Sequence, residues 1–494
     1  MNNIILLKTN TPEFINDISE EIRLFLSDVQ IITDETVPAR TNVCVFLSES
    51  DIWSVNASAH GDFNADYIYE REVVAGDPII VKRYRKRSVK LAVFRMMHKA
   101  FPNCFVPWGS LTGIRPTKLL RELEDGLGEQ KAKGTMLELF EVSPKKYNVA
   151  KEISDIQRPI IRSVKSDDID IYIGIPYCKT RCLYCSFASD VRTSKTDMRP
   201  YIDALKKDIS MGASIVKENG YHIRAGYMGG GTPTVLNEAE LEEVLDFACE
   251  CYGTMGEEFT VEAGRPDTIT RKKLEILKSH GAGRISINPQ TMNESTLKLI
   301  GRSHTAQEII EAYECAREVG FDINTDIITC LPGEGIKELE NTLNYIEKMK
   351  PENLTVHTLA LKRSSRLKQV IGDEEIASIM PDAQTADAMV ERGMQCAKAM
   401  GMNAYYMYRQ KYMRGNLENI GYALPGKECI YNVDMMEETV SIMAHGAGSM
   451  SKRIFEGRTL RVERIPNPKD ITTYIAKLDE IYESKRRLFR FQNN

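Results

Sequence analysis

Apolar and polar positions follow a regular alternation of two patterns after residue 168. Short runs rich in apolar and β-branched residues predict buried strands at 169–175, 225–228, 259–262, 284–288, 323–329 and 354–359. The segments between them carry apolar residues at helical spacing, which predicts helices near 198–217, 238–251, 270–280, 306–318 and 336–349. Six strand–helix units in succession imply a parallel sheet with helices outside, either as a partial barrel or as a doubly wound sheet.

The flanking segments have different patterns, and together they predict four parts. Residues 1–100 predict a small α/β domain with strands at 4–8, 42–47 and 77–81 and helices at 12–26 and 89–100. Thr11 and Pro12 suit the N-cap and the first turn of the first helix. The remaining parts are a helical junction at 101–167, the strand–helix core at 168–400, and a less regular segment at 401–494. This last segment ends in a helix near 470–486 and predicts a further α+β domain over the mouth of the core.

Length and composition limit the class of protein. A chain of 494 residues with 42% hydrophobic and 27% charged residues is long enough for two or three globular domains. No apolar stretch approaches the length of a membrane span, and the apolar run near the N-terminus is too short for a signal peptide. The odd number of 11 cysteines argues against a disulfide framework. We therefore expect a cytoplasmic protein without membrane partners, where thiols stay reduced.

Charge gives little indication of a nucleic-acid partner. The net charge is −5, so the whole chain has no electrostatic footprint for a polyanion. One basic strip, 82–87 with Lys90, differs from the rest of the chain. We interpret it as a solvated junction between a strand and a helix, since basic clusters are common on surfaces. An RNA-docking role for this strip is the alternative.

Three cysteines lie within eight residues: Cys178, Cys182 and Cys185, directly after the first strand of the core. Thiolates are the preferred ligands of iron–sulfur clusters. A four-iron cluster has four corners, and this motif supplies three, so one iron is left for a substrate or cofactor. A zinc site is the alternative, although the second Cys-x-x-Cys pair of a typical zinc site is missing. Scattered core cysteines are a further alternative.

A glycine-rich loop, 229–234 (Gly-Gly-Gly-Thr-Pro-Thr), follows the second core strand. Glycine lets the backbone approach a ligand closely, and the loop lacks the lysine of a phosphate-binding P-loop. Polar residues also follow the other core strands, at the edge that carries function in parallel α/β folds. A flexible connection without a ligand is the alternative interpretation of the loop.

Several stretches, taken jointly, resemble one known family. They are 175–187, 229–234, 259–263, 284–290, 301–304, 326–333, 405–419 and 444–449. The chain resembles the oxygen-independent coproporphyrinogen III dehydrogenases of the radical S-adenosylmethionine (SAM) superfamily, in the branch with an additional N-terminal domain. The resemblance implies an α/β fold, a partial (β/α)6 radical SAM barrel with a small N-terminal α/β domain and an α+β C-terminal domain. It implies a [4Fe-4S] cluster and SAM as cofactors; the reduced cluster passes one electron to SAM and a 5′-deoxyadenosyl radical is released.

The resemblance also implies roles for individual residues. The cysteines 178, 182 and 185 ligate the cluster, and the residues that border or bind SAM are Tyr172, Tyr184, Gly230, Gly231, Thr232, Glu262, Gln290, Arg302, Asp326 and Ala360. Glu262 accepts from the SAM ammonium, and Arg302 pairs with the methionine carboxylate through its fork of donors. Gln290 and Asp326 pair with ribose hydroxyls. A structural salt bridge for Glu262 or Arg302, and core packing for both tyrosines, are the alternatives.

Three positions depart from the family pattern, and two histidines lie in or near the matching stretches. Gly174 stands where the family often has His, Phe187 where its best-known dehydrogenases have Cys, and Cys330 where Gly is common. The first two departures put in doubt any detail of proton handling taken from those members. His304 and His445 are more often hydrogen-bonding residues than ligands in such positions.

The resemblance implies oxidative decarboxylation of two propionates of coproporphyrinogen III to vinyl groups, giving protoporphyrinogen IX. A tetrapyrrole substrate and an electron donor of the flavodoxin or ferredoxin type are the partners it implies. A haem chaperone that binds tetrapyrrole with little turnover is the alternative function, because that branch shares the phenylalanine after the third cysteine. A radical enzyme that modifies RNA through the basic strip is a third hypothesis.

Overall fold

The computed structural model of the protein describes residues 3–26, 29–113, 115–187, 189–361, 366–411, 413–455 and 461–490. The chain separates into two compact units. The first consists of residues 1–150 with 415–417, and the second of 151–414 with 418–494. The predicted junction at 101–167 is therefore not a separate part, since most of it belongs to the first unit and the remainder to the second.

The first unit combines five strands with helices. Its described strands are β1 (Asn3–Thr9), β2 (Val29–Ile32), β3 (Thr41–Glu49), β4 (Ile52–His60) and β5 (Ala65–Glu72). Its helices are α1 (Ile15–Phe25), α2 (Pro78–Ala100), α3 (Pro116–Leu127), α4 (Glu129–Gly134) and the first part of α5 (Pro144–Arg162). The sheet has the order β2-β1-β3-β4-β5, with β1 parallel to both neighbours and β3, β4 and β5 antiparallel. Strands β1 and β3 lie where the sequence predicted strands, whereas β2, β4 and β5 were not predicted.

The predicted strand at 77–81 is wrong, because this segment begins helix α2. Asp77 is the N-cap: its carboxylate accepts from the backbone N–H of Ile79 at 2.7 Å. Pro78 takes the first helical position, where its missing N–H costs nothing. The apolar run Ile79-Ile80-Val81 suggested a strand, but the Asp-Pro pair before it is a helix-start signal that outweighs it.

The basic strip at 82–87 with Lys90 lies on α2 rather than on a strand–helix junction. Much of its charge is paired within the first unit: Arg85 contacts Glu49 at 2.6 Å, and Lys90 contacts the buried Glu21 at 3.1 Å. Arg87 lies over the rings of Tyr84 and Phe140. Charges held by carboxylates and aromatic rings leave little free positive charge for a polyanion.

The second unit holds the core predicted from the alternating pattern. Its described strands are β6 (Asp168–Ile175), β7 (Tyr177–Cys178), β8 (Asp190–Val191), β9 (His222–Gly230), β10 (Glu258–Glu262), β11 (Arg284–Ser286), β12 (Asp322–Thr329), β13 (Asn353–Thr358), β14 (Asn403–Tyr408), β15 (Asn419–Ala423), β16 (Ser441–His445), β17 (Met450–Phe455) and β18 (Arg461–Pro466). Its helices after α5 are α6 (Arg199–Glu218), α7 (Glu238–Tyr252), α8 (Arg271–Ser279), α9 (Glu294–Leu299), α10 (Ala306–Val319), α11 (Ile336–Met349), α12 (Leu367–Ile371), α13 (Asp373–Ile379), α14 (Ala383–Ala399), α15 (Ile430–Glu437), α16 (Ile471–Ala476) and α17 (Leu478–Phe489). None of the described helices is both long and apolar enough to cross a bilayer.

Six parallel strands form the centre of the large sheet in chain order: β6, β9, β10, β11, β12 and β13. Along β6 the isoleucines 169, 171, 173 and 175 are fully buried in the core that also contains Ile202 and Leu205 of α6. Tyr172, on the other face of β6, packs instead in a separate cluster with residues of β14 and α15. This two-sided burial is what a strand between outer helices and a filled interior requires. The partial (β/α)6 barrel predicted from the pattern and the resemblance is confirmed.

The C-terminal segment, predicted as a further domain, instead extends the same sheet at both edges. Strands β14 and β15 add antiparallel strands beyond β13, while β16 pairs parallel to β6 and is followed by β17 and β18. Within the described residues the sheet therefore has eleven strands in the order β14-β15-β13-β12-β11-β10-β9-β6-β16-β17-β18. Hydrogen bonding to free strand edges, which the alternation of apolar residues does not encode, determines this arrangement.

A buried ionic cluster joins α17 to the barrel. The Lys485 ammonium donates to Asp208 of α6 at 2.5 Å and to the Ala444 carbonyl at 2.6 Å, and both charged side chains are almost fully buried. Tyr474 donates to the other Asp208 oxygen at 2.9 Å. Burial opposes ionisation of Asp208, but the charges of Lys485 and His445 hold its pKa below the ordinary value.

Lys485→Met is expected to lower the free energy of unfolding by about 3–5 kcal/mol, because the Asp208 carboxylate then stays buried without its cation. Lys477→Met is the matched control, since Lys477 is half-exposed and its ion pair within the described residues is with Glu480 of the next helix; its expected effect is below about 1 kcal/mol. Urea denaturation followed by far-UV circular dichroism measures both. Equal denaturation midpoints for the two variants would show that the ionic cluster does not stabilise the second unit.

Candidate active site

The three predicted cluster cysteines lie in one loop after β6. The backbone holds this loop in place: Leu183 N–H donates to the Ile300 carbonyl at 2.9 Å, and Cys185 N–H donates to the Cys182 carbonyl at 3.1 Å. Arg192 N–H donates to the Cys178 carbonyl at 2.9 Å, within the small β7–β8 pair. All three cysteines are half-buried and none is in a disulfide.

The thiols are close enough to influence one another electrostatically. Burial raises the pKa of the Cys185 thiol, and the neighbouring Cys182 and Cys178 raise it further. Within the described ranges, no three His, Cys, Asp or Glu side chains are grouped tightly enough to hold one metal ion. A four-iron cluster takes each thiolate on a different iron. The donor set, three thiols in one loop, therefore fits the cluster.

The glycine-rich loop packs directly against the cysteine loop. Gly231 N–H donates to the Ile175 carbonyl and Thr232 N–H to the Tyr177 carbonyl, each at 2.8 Å. A Cβ at Gly231 would lie 2.4 Å from the Tyr177 carbonyl oxygen, and Gly230 has a φ of +113°, so both positions require glycine. The buried Thr232 hydroxyl donates to the Cys178 sulfur at 3.6 Å. The three predicted residues of this loop thus lie beside the first cluster cysteine.

Glu262 ends β10 on the interior side of the barrel. The Tyr227 hydroxyl donates to Glu262 Oε1 at 2.8 Å. Burial raises the pKa of Glu262 to about 7; the hydrogen bond from Tyr227 opposes this shift, and the negative charge of Asp326 adds to it. The sequence analysis considered a structural salt bridge as the alternative role of Glu262; among the described residues its carboxylate is instead bonded to the Tyr227 hydroxyl. A carboxyl group with this pKa is a ready acceptor for a cationic ligand.

Asp326, in β12, belongs to a second polar group. Asn324 Nδ2 donates to its Oδ1 at 2.9 Å, and His357 Nε2 lies 3.6 Å from its Oδ2. Burial works to raise the pKa of Asp326, but His357, Asn324 and Thr355 together hold it below the ordinary value. The other ring nitrogen of His357 lies 3.3 Å from the Tyr408 hydroxyl of β14. Asp326 is therefore an oriented carboxylate rather than an unpaired one.

Gln290 and Arg302 each carry a buried polar atom that has no hydrogen-bond partner among the residues that the structure describes. Gln290 has a φ of +68°, bridges Ile327 of β12, and leaves its side-chain carbonyl oxygen unpaired. Arg302 donates from Nη1 to the Asn288 carbonyl at 2.5 Å and from Nη2 to the Tyr184 hydroxyl at 3.3 Å, while its Nε has no acceptor. An unpaired buried donor or acceptor costs free energy, so both atoms favour a polar ligand in this place.

Aromatic residues surround this polar set. Tyr172 stacks with Tyr227 at 6.3 Å between ring centroids, and Tyr227 stacks with Tyr431 of α15 at 4.6 Å. Tyr184 lies against Arg302, as described above. The predicted backbone site at Ala360 forms an isolated bridge with Met413 just after β13. The predicted SAM residues fall in three groups by position. Tyr172 and Asp326 lie within β6 and β12, Tyr184 and Arg302 lie in the cysteine loop and after α9, and the others lie at the ends of β9 and β10 or in the segments after β9, β11 and β13.

The two histidines differ in their surroundings. His304 is buried, and neither of its ring nitrogens has a hydrogen-bond partner in the described part of the chain. Burial together with Arg302 and Arg265 lowers its pKa to about 3, so it is neutral. His445 is fully buried at the end of β16, where Nε2 lies 2.7 Å from the Tyr252 hydroxyl and Nδ1 lies 3.3 Å from Asp208. His445 thus belongs to the ionic cluster around Asp208.

Sequence reasoning missed the partners that orient the site: Tyr227, Asn324, His357 and Tyr431. The available signal was the position of Tyr227, two residues before Gly229, the first glycine of the loop. Residues two apart in a strand lie on the same face. Cys330, noted as a departure, has a φ of +63°, in the region that favours glycine. This backbone explains why glycine is common at that position of the resembled family.

Comparison with known proteins supports one family. The radical SAM superfamily model matches residues 172–346. The chain is 35% identical to the oxygen-independent coproporphyrinogen-III oxidase-like protein HemZ of Bacillus subtilis, over 94% of this chain and 93% of that protein. It is 32% identical to the heme chaperone HemW of Bacillus subtilis, over 47% of this chain and 61% of that protein. The solved structure of coproporphyrinogen III oxidase (HemN) from Escherichia coli, a radical SAM enzyme, is similar in fold, with a TM-score of 0.52 and 22% identity over 66% of this chain and 72% of that one.

Proposed function

Because the chain belongs to the radical SAM superfamily, within the family of coproporphyrinogen-III oxidase-like proteins, we propose that it converts coproporphyrinogen III to protoporphyrinogen IX. Its cofactors are a [4Fe-4S] cluster and SAM. In the proposed reaction each of two propionates loses one hydrogen atom to the 5′-deoxyadenosyl group, one carbon dioxide, and one electron to an external one-electron acceptor, and becomes a vinyl group. The observation that supports this most is the extent of the similarity, which includes both segments that flank the barrel.

The cluster with SAM supplies, when bound, a hydrogen-abstracting 5′-deoxyadenosyl group. The chain's own residues hold this pair in place. Cys178, Cys182 and Cys185 ligate three irons, and the backbone of Gly230 and Gly231 gives SAM a close approach beside them. Thr232, hydrogen-bonded to the first cysteine, fixes the distance between the two loops.

Charged side chains orient SAM at its two polar ends. Glu262 accepts from the ammonium, held by Tyr227, and Arg302 donates to the carboxylate through its unpaired Nε. Gln290, through its unpaired oxygen, and Asp326 pair with ribose hydroxyls. Three further residues border the nucleoside in this proposal: Tyr172, Tyr184 and Ala360.

Aromatic residues of β14 and α15 support a large flat substrate. Tyr406 and Tyr408 stack at 6.3 Å, and Tyr408 reaches His357 beside Asp326. A tetrapyrrole offers an extended surface for such rings, and its propionates suit the arginines of the same tract, Arg409 and Arg414. Tyr412 of this tract lies outside the described residues.

A haem chaperone is the second candidate, and Phe187 favours it because the chaperone branch has phenylalanine after the third cysteine. The fraction of this chain that matches the chaperone of Bacillus subtilis is smaller, at 47%. RNA modification is less well supported, since much of the basic strip on α2 is paired within the first unit.

Anaerobic incubation of the reconstituted protein with SAM, a reductant and coproporphyrinogen III tests the proposal. We expect divinyl product and two molecules of 5′-deoxyadenosine for each protoporphyrinogen. Release of 5′-deoxyadenosine without vinyl product would show that coproporphyrinogen III is not the substrate. Tight haem binding together with no SAM turnover would favour the chaperone.

SAM binding is expected to tighten as the pH rises from 6 to 8. The pKa of Glu262 is about 7, so below this pH the side chain is mainly protonated and must lose its proton to accept from the SAM ammonium. Near pH 8 the carboxylate is mostly ionised, and the affinity levels off after a gain of up to about tenfold. Tyr227→Phe removes a hydrogen bond that favours the ionised form, so it moves the inflection to higher pH. Anaerobic equilibrium dialysis at each pH measures the affinity for SAM. An inflection that persists in Glu262→Gln would show that another group causes the pH dependence.

A further inference from the structure

His304 is a buried histidine whose two ring nitrogens lack partners. The residue is 3% exposed, and neither nitrogen forms a hydrogen bond with any residue that the structure describes. The ring is neutral, so it offers one N–H donor and one acceptor. An unpaired donor in the interior costs free energy, and this cost disappears when a bound group accepts the hydrogen bond. His304 therefore indicates a bound acceptor in this part of the second unit.

The segment that carries this histidine, residues 300–304, lies along the cysteine loop. Leu183 N–H donates to the Ile300 carbonyl at 2.9 Å. A Cβ at Gly301 would lie 3.3 Å from the Leu183 side chain and 3.7 Å from the Arg181 carbonyl oxygen. Both loop residues lie between the first and the third cluster cysteine. The segment is therefore packed directly against the part of the loop that holds the cluster.

Arg302, two residues before His304, contacts the same loop. Its Nη2 donates to the Tyr184 hydroxyl at 3.3 Å. Burial lowers the pKa of Arg302, but Tyr184 and Cys182 raise it above its ordinary value. A cluster ligand thus lies within electrostatic reach of this guanidinium, whose charge also acts on the His304 ring.

Arg265 bonds both to the segment and to the cysteine loop. Its Nη2 donates to the Ser303 hydroxyl at 3.2 Å, and its Nη1 donates to the Thr180 carbonyl at 3.0 Å. Its charge also acts on the His304 ring. Asp267 acts on the ring too, but no hydrogen bond joins the two, and its carboxylate lies 3.2 Å from Arg265 Nε. His304 therefore lies near two arginines that both bond to the cysteine loop.

Two more buried donors at this loop lack acceptors among the described residues: the Nε of Arg181 and the Nε of Arg302. Arg181 directly precedes Cys182. Three unpaired donors around one loop indicate an anionic group with several acceptors. SAM takes the Arg302 donor in the proposed complex, and the [4Fe-4S] cluster remains as the acceptor for His304, because its sulfur atoms accept hydrogen bonds.

We propose that His304 donates its ring N–H to a sulfur atom of the [4Fe-4S] cluster and thereby makes the cluster easier to reduce. Reduction adds one negative charge to the cluster, so the hydrogen bond is stronger in the reduced state than in the oxidised state. The difference raises the reduction potential of the cluster. This inference rests on the cluster and not on the proposed tetrapyrrole substrate.

The test measures the midpoint potential of the reconstituted cluster by an anoxic redox titration without SAM, followed by electron paramagnetic resonance (EPR). His304→Phe keeps a planar ring and removes both nitrogens. At a given potential its ratio of reduced to oxidised cluster is expected to be about tenfold lower, which for one electron is a shift of about 59 mV. His280→Phe is the matched control, since His280 pairs with Asp246 at the end of α8, and its potential is expected to be unchanged.

Two conservative variants separate the hydrogen bond from a packing effect. Asparagine places an amide N–H close to the Nδ1 position of His304, and glutamine places one close to the Nε2 position. One of His304→Asn and His304→Gln is therefore expected to keep the unaltered potential, and it identifies the donor nitrogen. An unchanged potential in His304→Phe with full iron content would overturn the proposal. A shift of equal size in all three variants would also overturn it, because it would show a rearranged loop.

The unaltered protein provides a second test that does not depend on the folding of a variant. In protein labelled with ¹⁵N-histidine, pulsed EPR of the reduced cluster without SAM is expected to show coupling to a histidine nitrogen and to an exchangeable proton. Absence of any ¹⁵N coupling would overturn the proposal. An unchanged potential together with weaker SAM binding in His304→Phe would overturn it too, since the ring would then act on SAM. Neither measurement uses a tetrapyrrole, so failure of the substrate assignment leaves both results standing.

Discussion

Cys185→Ala protein, reconstituted with iron and sulfide under anoxic conditions, is expected to hold no [4Fe-4S] cluster and to release no 5′-deoxyadenosine from SAM. Only three thiolates of the loop are available to the cluster, so removal of one leaves two protein ligands. The fall in SAM cleavage is expected to exceed about a hundredfold, because even a lost outer partner of a metal ligand costs up to that much. Iron and sulfide content, with the visible spectrum, measures the cluster directly.

Cys249→Ala is the matched control. Cys249 lies in α7, is half-buried like Cys185, and has a thiol whose pKa is likewise raised by burial. It is expected to keep its iron, its sulfide and its SAM cleavage. A Cys185→Ala protein that kept a full complement of iron would show that the ligands lie elsewhere in the chain.

Arg302→Met is expected to weaken SAM binding by about a hundredfold while the cluster still assembles. Arg302 is buried, holds the Asn288 carbonyl and the Tyr184 hydroxyl, and has an Nε without an acceptor. The methionine carboxylate supplies that acceptor in the proposed complex. Methionine preserves the apolar stem and removes the donors. The decrease in affinity for SAM therefore measures the contribution of the charge-assisted hydrogen bonds. Equilibrium dialysis of the reconstituted protein against labelled SAM gives the dissociation constant.

Two further variants make this result specific. Arg302→Lys keeps a positive charge without the planar fork, so it is expected to lie between the unaltered protein and Arg302→Met. Arg392→Met removes an arginine whose partner is Glu340, at the barrel exterior, and is expected to bind SAM normally. If Arg302→Met binds SAM like Arg392→Met, then Arg302 has a structural role only.

The barrel could be predicted from the sequence because its signals are local. Each core strand is a short apolar run, and helices such as α11 carry Leu339, Leu343 and Ile346 on one buried face. The cysteine spacing and the glycine-rich loop are local too, so the candidate cluster site could be placed after β6. The structure brings the predicted residues of both loops together through backbone hydrogen bonds between Ile175, Tyr177, Gly231 and Thr232.

Features that depend on distant pairing could not be predicted in this way. The C-terminal strands β14 and β16 attach to opposite edges of one sheet, and no local pattern indicates which edge a strand joins. Nor does the sequence indicate that Tyr227 donates to Glu262, or that His357 lies beside Asp326, because each pair comes from different strands. The start of α2 was missed for another reason: three apolar residues were given more weight than the Asp-Pro pair before them.

The most direct test of the central claim follows deuterium from the substrate. Coproporphyrinogen III labelled at the propionate β-carbons is incubated anoxically with the reconstituted protein, SAM and dithionite, and 5′-deoxyadenosine is examined by mass spectrometry. The account predicts one deuterium in each 5′-deoxyadenosine and two labelled molecules for every divinyl product. Unlabelled 5′-deoxyadenosine, formed without vinyl groups, would contradict it.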